Sequence, residues 1–451
     1  MNEPLFVFLY FLIPFVAYRL LRAAHIDLLQ ISIPSVFFGY YFLIAYMGIL
    51  PTYYGLNHYK FSYDAVSDHA LLFRVFFYSG SCFLLMALGT FFTSRLRGSR
   101  RAALWARPEP LRPAVLWMLV CLVAVCAAVT VFFIKKFSDS ALNMALSGDA
   151  VAARALRSEM TNALQGGGWY SAFYGSLLHF CTFVALSQAL VSRKLGVWFL
   201  ALGSFVIALY AALASGEKAP LIWLLMGCFL IYVCTIQRRI KLRNIFLFIL
   251  ITCGGVAAVV LIFVGAEGHA LGELLWWAFS RTFMGALVPG LYYLKMFPTY
   301  HDFLWGRSLP NPHGIFPWEY FRISVEVHDF MMGNVTMANE TVGSAPTTYW
   351  GELYANFGPI GPLIAAPIIG VYVYVIHILS GLLRPTPIKA ALIVWCALHF
   401  MKLAGSNISD YLLDTDFFMI LASASALLLA NGDVRLTVRR PAGMPHHAAQ
   451  T

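Results

Sequence analysis

Residues 196–236 decide the fold of this chain: GVWFLALGSFVIALYAALASGEKAPLIWLLMGCFLIYVCTI. Two apolar runs, each near the length needed to cross about 30 Å of hydrocarbon, are separated by the gap SGEKAP at 215–220. Because this gap is too short to leave the membrane interface, we expect Glu217 and Lys218 at the rim where two helices turn. A local ion pair or snorkelling side chains would explain these two charges. Alternatively, Lys218 faces a cavity and binds an anionic group there.

The whole chain repeats this pattern. Of 451 residues, 60% are hydrophobic and 12% are charged, and the mean hydropathy is +0.73; a soluble domain of this size could not cover such a core. We predict an all-α polytopic membrane protein, a single integral domain over 1–440 with a disordered tail at 441–451. It has about eleven transmembrane helices, at 4–21, 28–50, 71–93, 114–134, 170–192, 196–214, 220–236, 244–266, 360–383, 389–405 and 416–430.

The basic residues predict the orientation. Alternate loops hold nineteen of the 31 lysines and arginines but only two acidic residues, Glu109 and Asp433. By the positive-inside rule these loops are cytoplasmic, which places the N-terminus outside and the C-terminus inside. Basic loops against anionic lipid also explain the net charge of +10, so we predict no nucleic-acid partner. The eight cysteines fall inside predicted spans without a CxxC pair, which argues against a disulfide framework or a zinc site.

Two outer loops are too long to be simple connections, at about 135–169 and 267–361. The second is rich in aromatic residues and contains a predicted helix over 273–297 that is apolar enough to lie along the membrane surface. We therefore expect two structured loops that cap the bundle on its outer face.

Cationic side chains recur on this outer face, and they need a reason beyond topology. Phosphate is their natural partner, because arginine binds it bidentately and lysine supplies a point charge. The predicted pyrophosphate-binding residues are Arg154, Arg157, Lys218, Arg281 and Arg307.

Four segments of this outer face carry a resemblance to a known family. They are SGEKAPL at 215–221, FSRTFMGALVPGLYYL at 279–294, FLWGRSLPNP at 303–312 and GELYANFGPIGPLIAAPIIG at 351–370. In their order and in the predicted topology, the chain resembles the Wzy family of O-antigen repeat-unit polymerases, which are related to the O-antigen ligases and to GT-C-like membrane glycosyltransferases. Where the family usually has arginine after the small-Gly-x turn, this chain has Lys218.

The resemblance implies a polymerase in the inner membrane of a Gram-negative bacterium, with its active site facing the periplasm. Donor and acceptor are glycans linked to undecaprenyl pyrophosphate within the membrane lipid, and the protein partners are a chain-length regulator and a flippase. The growing chain is transferred to a sugar hydroxyl of a new repeat unit, with inversion at the anomeric carbon.

The resemblance also suggests site residues. Arg281 would stabilise the leaving pyrophosphate, and Glu352 or His313 would act as general base toward the acceptor hydroxyl. The predicted sugar-binding residues are Trp277, Trp305, Tyr349 and Trp350. We identify no DxD-type metal pair in a loop and expect neither a metal nor a cofactor.

Three alternatives remain open. An O-antigen ligase, which moves the finished polymer onto lipid A core, would share the topology and the cationic site. A lipid-linked sugar transporter or flippase would use polar residues within spans, for which the candidates are Arg74, His179, His377, His399 and Lys402. A scaffolding membrane protein would leave the outer cations without a role.

Overall fold

The computed structural model describes residues 3–56, 64–96, 108–137, 140–147, 156, 160, 169–214, 218–237, 239–241, 243–244, 246, 276, 280, 283–311, 316–332, 343–412 and 414–433. In these ranges the regular elements are helical, without a strand. The helices are α1 Glu3–Ala23, α2 Ile33–Tyr41, α3 Ile49–Tyr53, α4 His69–Leu96, α5 Pro113–Lys135, α6 Ala141–Leu146, α7 Leu178–Ser192, α8 Leu195–Ala214, α9 Lys218–Tyr232, α10 Leu287–Met296, α11 Ile323–Met332, α12 Tyr349–Phe357, α13 Gly361–Gly381, α14 Pro387–Met401, α15 Ile408–Tyr411 and α16 Thr415–Asn431.

Local sequence explains where several of these helices begin. Ser32 and Ser35 form a reciprocal capping box before α2. Thr386 and Asp414 each accept a hydrogen bond from a backbone N–H of the first turn, at the starts of α14 and α16. Gly358, with a φ of 68°, separates α12 from α13, a backbone conformation that glycine adopts without steric cost.

The predicted spans are largely confirmed as helices. Among the described residues, nine helical segments are long and apolar enough to cross a membrane, and α16 is a shorter apolar helix of 17 residues. The remaining predicted span, 244–266, falls mostly outside the described residues. Together with the composition, these helices identify a membrane-embedded helical protein.

The most extensive helix pair is α4 with α13, and glycines allow their backbones to approach. A Cβ atom on Gly89 would overlap the carbonyl oxygen of Pro367, and one on Gly370 would overlap that of Met86. The Thr90 hydroxyl donates to the Gly370 carbonyl at 3.1 Å across the same crossing. Small residues and interhelical hydrogen bonds are typical of helix association in membranes.

The bundle has two distinct ends. At one end the predicted cytoplasmic loops meet: the Glu109 N–H donates to Pro385 O at 2.8 Å, and the Ile240 N–H to Leu29 O at 3.0 Å. At the opposite end lie the starts of α9 and α16, the end of α14 and the helix α12. This second end is called the outer end below, because the sequence predicts that it faces outward.

The predicted surface helix 273–297 is corrected by the structure. Its described helical part, α10, lies in the interior, with Leu291, Tyr293 and Leu294 at most 1% exposed. Apart from Lys295, every residue of α10 is buried, and a helix with apolar residues on all its faces packs in the interior rather than on a surface.

Candidate functional site

A cavity of about 280 Å³ lies at the outer end of the bundle. It is bounded by the π-helical turn Ala172–Leu177 that leads into α7, by the start of α9, and by the segment from the end of α14 to the start of α16. Its lining combines cationic, acidic and aromatic side chains, among them Ser176, His179, Trp223, Lys402, Tyr411 and Asp416.

Lys402 follows the last turn of α14 and is the lysine among the described residues that line this cavity. Its ammonium nitrogen lies 5.0 Å from the ring centroid of Tyr411 and 5.4 Å from that of Trp223. Aromatic faces attract a cation without neutralising its charge. Lys402 is therefore held beside the cavity by two aromatic rings.

His399, one turn before Lys402, has a defined tautomer. Its ring stacks on Trp395 with centroids 4.6 Å apart, and its Nε2 lies 2.9 Å from the carbonyl oxygen of Tyr411. A carbonyl only accepts hydrogen bonds, so we assign the ring proton to Nε2 and a lone pair to Nδ1. Within the described residues, Nδ1 is buried without a hydrogen-bond partner.

Two carboxylates lie at the start of α16: Asp416 lines the cavity, and Asp414 contacts His399 of the cavity lining. Asp416 Oδ2 accepts a hydrogen bond from the Ser176 hydroxyl, and Asp414 Oδ1 accepts from the Phe417 N–H at 2.8 Å. Burial raises the pKa of the Asp414 carboxyl to about 6. Asp414 Oδ1 also lies 3.5 Å from His399 Nε2. These groups can accept a proton from a ligand or donate one to it.

These acidic residues correct one prediction from the sequence. Asp414-Thr415-Asp416 has the DxD spacing, and the pair stands at the start of an apolar span. Within the described part of the chain, no three histidine, cysteine or acidic side chains are placed to hold one metal ion. The expectation of no metal stays a prediction.

Glu352, the first candidate for general base, lies next to the cavity segment and not in the cavity lining. It is fully buried on α12 and accepts hydrogen bonds from the Ser308 hydroxyl at 2.7 Å and from the Ser409 hydroxyl at 2.8 Å, both on Oε1. The Ser409 N–H donates to Oε2 at 3.1 Å. The carboxylate therefore joins three segments: α12, the loop that contains Ser308, and the start of α15.

Trp305 and Arg307 lie on an exposed turn beside this buried carboxylate. Trp305 is 73% exposed and has a φ of 51°, and Gly306 follows with a φ of 93°. A non-glycine residue in such a conformation costs about 1–3 kcal/mol, and it persists where surrounding contacts hold it. Arg307 is also exposed.

The other predicted site residues fall into three groups. Lys218 is the first residue of α9, and the next two residues, Ala219 and Pro220, line the cavity. Tyr349 and Trp350 are fully buried, and Trp350 stacks on Tyr78 at 5.7 Å, so their faces are covered by protein and not open to a sugar. The remaining candidates lie outside the described residues: Arg154, Arg157, Trp277, Arg281 and His313.

Several cavity residues were not assigned to this site from the sequence. The sequence suggests His179, His399 and Lys402 as polar residues within spans of a transporter, and it does not single out Ser176, Tyr411 and Asp416. Two sequence signals pointed toward them: the His399–Lys402 spacing of three at the end of one span, and the Asp-Thr-Asp at the start of the next.

Comparison with protein-family models, with curated proteins and with solved structures gives no match to this chain. The similarity to the polymerase family therefore rests on the quoted segments and on the predicted topology.

Proposed function

We propose that this protein polymerises oligosaccharide repeat units carried on undecaprenyl pyrophosphate, and that the cavity at the outer end is the reaction site. The observation that carries the proposal is the pairing of Lys402 with the acceptor groups of Asp416 and His399 around one cavity. Glycosyl transfer from a lipid pyrophosphate needs both functions, a cation for the leaving group and a base for the acceptor.

In this proposal Lys402 binds the pyrophosphate. Negative charge grows on the leaving pyrophosphate as the bond from the anomeric carbon to its oxygen breaks, and a preorganised cation stabilises that charge most in the transition state. Lys218, at the start of α9 beside the cavity, is a second candidate cation. Arg154, Arg157, Arg281 and Arg307 stay candidates from the sequence, and protein cations rather than a metal ion carry the electrostatic stabilisation.

Asp416 replaces Glu352 as our candidate base. The acceptor hydroxyl gives its proton to the Asp416 carboxylate and its oxygen forms the new bond to the anomeric carbon, while the pyrophosphate leaves with the bonding electron pair. One displacement inverts the configuration at that carbon. Glu352 is less suited because its carboxylate is fully buried and already accepts hydrogen bonds from two serines. His313 stays a candidate from the sequence.

The proposed setting is the inner membrane of a Gram-negative bacterium, with the outer end in the periplasm. The excess of lysine and arginine in the loops of the opposite end supports this orientation. With it, the N-terminus is periplasmic and the C-terminus is cytoplasmic.

A lipid-linked sugar transporter is the second candidate. Buried ionisable residues such as His179 and Lys402 within spans are typical of proton-coupled carriers. We favour the polymerase because the cavity residues lie together at the outer end. Two lipid-linked glycans that react with each other must reach the site from the same face of the membrane, and a cavity at one end meets this requirement.

The test uses a strain in which the gene is deleted and then complemented. We expect deletion to leave lipid A core with a single repeat unit, wild type to restore long chains, and Lys402→Met not to restore them at equal protein level. Lys402→Arg keeps the charge and should restore some of the long polysaccharide chains. Lys194→Met changes an exposed lysine at the opposite end and should restore the full range of chain lengths. If the deletion strain instead has bare lipid A core and accumulates lipid-linked polymer, the protein is the ligase. If deletion leaves the polysaccharide chain lengths unchanged, the protein is not the polymerase.

A further inference from the structure

The turn formed by Trp305, Gly306 and Arg307 is held in place by buried hydrogen bonds. The Leu304 and Trp305 N–H groups donate to the carbonyl oxygens of Ala355 and Asn356 at 2.9 and 3.0 Å. The Gly306 N–H donates to the Asn356 side-chain oxygen at 2.9 Å. The turn is thus fixed to the last turn of α12 by three consecutive backbone donors.

A second layer of buried side chains supports the first. The Asn356 amide donates to the Ser308 hydroxyl at 2.7 Å, and Ser308 donates to Glu352 at 2.7 Å. Asn356, Ser308 and Glu352 are all fully buried. A buried polar network of this kind fixes one geometry when its members are satisfied.

This network presents one large side chain to the outside. Trp305 is 73% exposed, although its backbone conformation is one that a bulky residue rarely adopts. An aromatic ring used only as a membrane anchor needs the right depth but not a fixed backbone. A ring held rigidly with its face open suits a ligand that has a flat apolar face of its own, and the C–H face of a sugar ring is such a surface.

The turn is also next to the cavity. Glu352 Oε1 accepts from both Ser308 and Ser409, so the segment after Arg307 and the segment before Tyr411 meet at one oxygen atom. Tyr411 lines the cavity. The turn and the cavity are therefore linked through the Glu352 carboxylate, and a glycan whose pyrophosphate occupied the cavity would have Trp305 and Arg307 among its neighbours.

We propose that the turn Trp305-Gly306-Arg307 is a glycan-binding platform, on which the Trp305 ring stacks against a sugar ring and Arg307 pairs with an anionic substituent. Glu352 is a positioning residue that holds this platform beside the cavity. The inference rests on the proposed function for the identity of the ligand, but it concerns binding of the glycan and not transfer.

Binding to an array of bacterial oligosaccharides released from their lipid carriers tests the platform separately from the reaction. The full-length protein is presented in lipid nanodiscs. We expect wild type to bind at least one glycan and Trp305→Gly to lose tenfold or more in affinity, with unchanged or improved thermal stability because glycine relieves the strained backbone. Trp117→Ala is the matched control, since Trp117 on α5 is 71% exposed, and it should bind as wild type does.

Two further variants and one spectroscopic measurement separate the alternatives. Lys402→Met should keep binding these lipid-free glycans even where it abolishes polymer, so failure of the platform and failure of the proposed function give different results. Glu352→Gln should weaken binding, and the exposed Glu326→Gln should not. The platform is overturned if wild type binds no glycan or if Trp305→Gly binds as well as wild type. It is also overturned if brominated lipids quench the fluorescence of Trp305 as strongly as that of Trp117, because Trp305 would then be a membrane anchor.

Discussion

At the scale of the residue, Glu352 shows how burial changes the interpretation of an acidic side chain. Its sequence position, just before a helix that enters the membrane, suggested a general base. In the structure its oxygens accept hydrogen bonds from Ser308 and from Ser409, and we interpret it as a support for the neighbouring loop.

This interpretation predicts a stability effect for Glu352→Gln. The NH2 group of glutamine donates hydrogen bonds and cannot accept them, so at the position of the oxygen that it replaces a buried donor, either the Ser409 N–H or a serine hydroxyl, loses its acceptor at a cost of about 1–3 kcal/mol. We expect a lower melting temperature of the detergent-solubilised protein, with Glu326→Gln unchanged. Normal melting with complete loss of polymerisation would restore Glu352 as the base.

Asp414 predicts a pH dependence of substrate binding. With a pKa of about 6, its carboxyl is neutral at pH 5 and negative at pH 7.5, near His399, Lys402, Asp416 and Tyr372. The negative form weakens the field of Lys402, so the KM for the pyrophosphate-linked substrate should rise roughly three- to tenfold between these pH values.

The same position supplies the control for this pH effect. Asp414→Asn keeps the helix cap, because asparagine caps as well as aspartate does, but it cannot ionise. Its KM should be the same at both pH values. An equal rise of KM in this variant would mean that another group is responsible.

At the scale of the element, the crossing of α4 and α13 depends on two glycines. Gly370→Ala places a methyl group against the carbonyl of Met86, and such overpacking costs about 1–3 kcal/mol. We expect the melting temperature in detergent to fall by several degrees (~5 °C). Gly203→Ala on α8 meets nothing within 4 Å and should melt at or above the wild-type temperature, since alanine is the better helix former. Equal melting temperatures of Gly370→Ala and Gly203→Ala would show that α4 and α13 do not approach each other this closely.

Elements also explain what the sequence could not predict. Apolar runs of membrane length gave the spans, because length and hydropathy are local properties. The cavity depends on which helices are neighbours: Ser176 before α7, Lys402 after α14 and Asp416 in α16 are far apart in the chain. The interior position of α10 was missed for the same reason, since an apolar segment between polar ones fits a surface and a core equally well.

At the scale of the whole molecule, the two ends of the bundle predict a labelling pattern. Cysteines introduced at the exposed positions Tyr54 and Tyr300, near the outer end, should react with a membrane-impermeant maleimide on intact spheroplasts. A cysteine at Lys194 should react only after the membrane is permeabilised. A Cys121→Ala background removes the cysteine that is exposed among those that the structure describes, and the reverse pattern would place the cavity in the cytoplasm.

A reconstituted reaction tests whether the cavity around Lys402 elongates lipid-linked glycans. Purified protein in liposomes is given undecaprenyl-pyrophosphate-linked repeat units extracted from the deletion strain, and product lengths are measured on a gel. We expect a ladder of longer glycans with wild type and with Lys194→Met, and only the starting single unit with Lys402→Met of equal stability. A wild-type protein that leaves the units unchanged, or a Lys402→Met variant that elongates them at the wild-type rate, would contradict it.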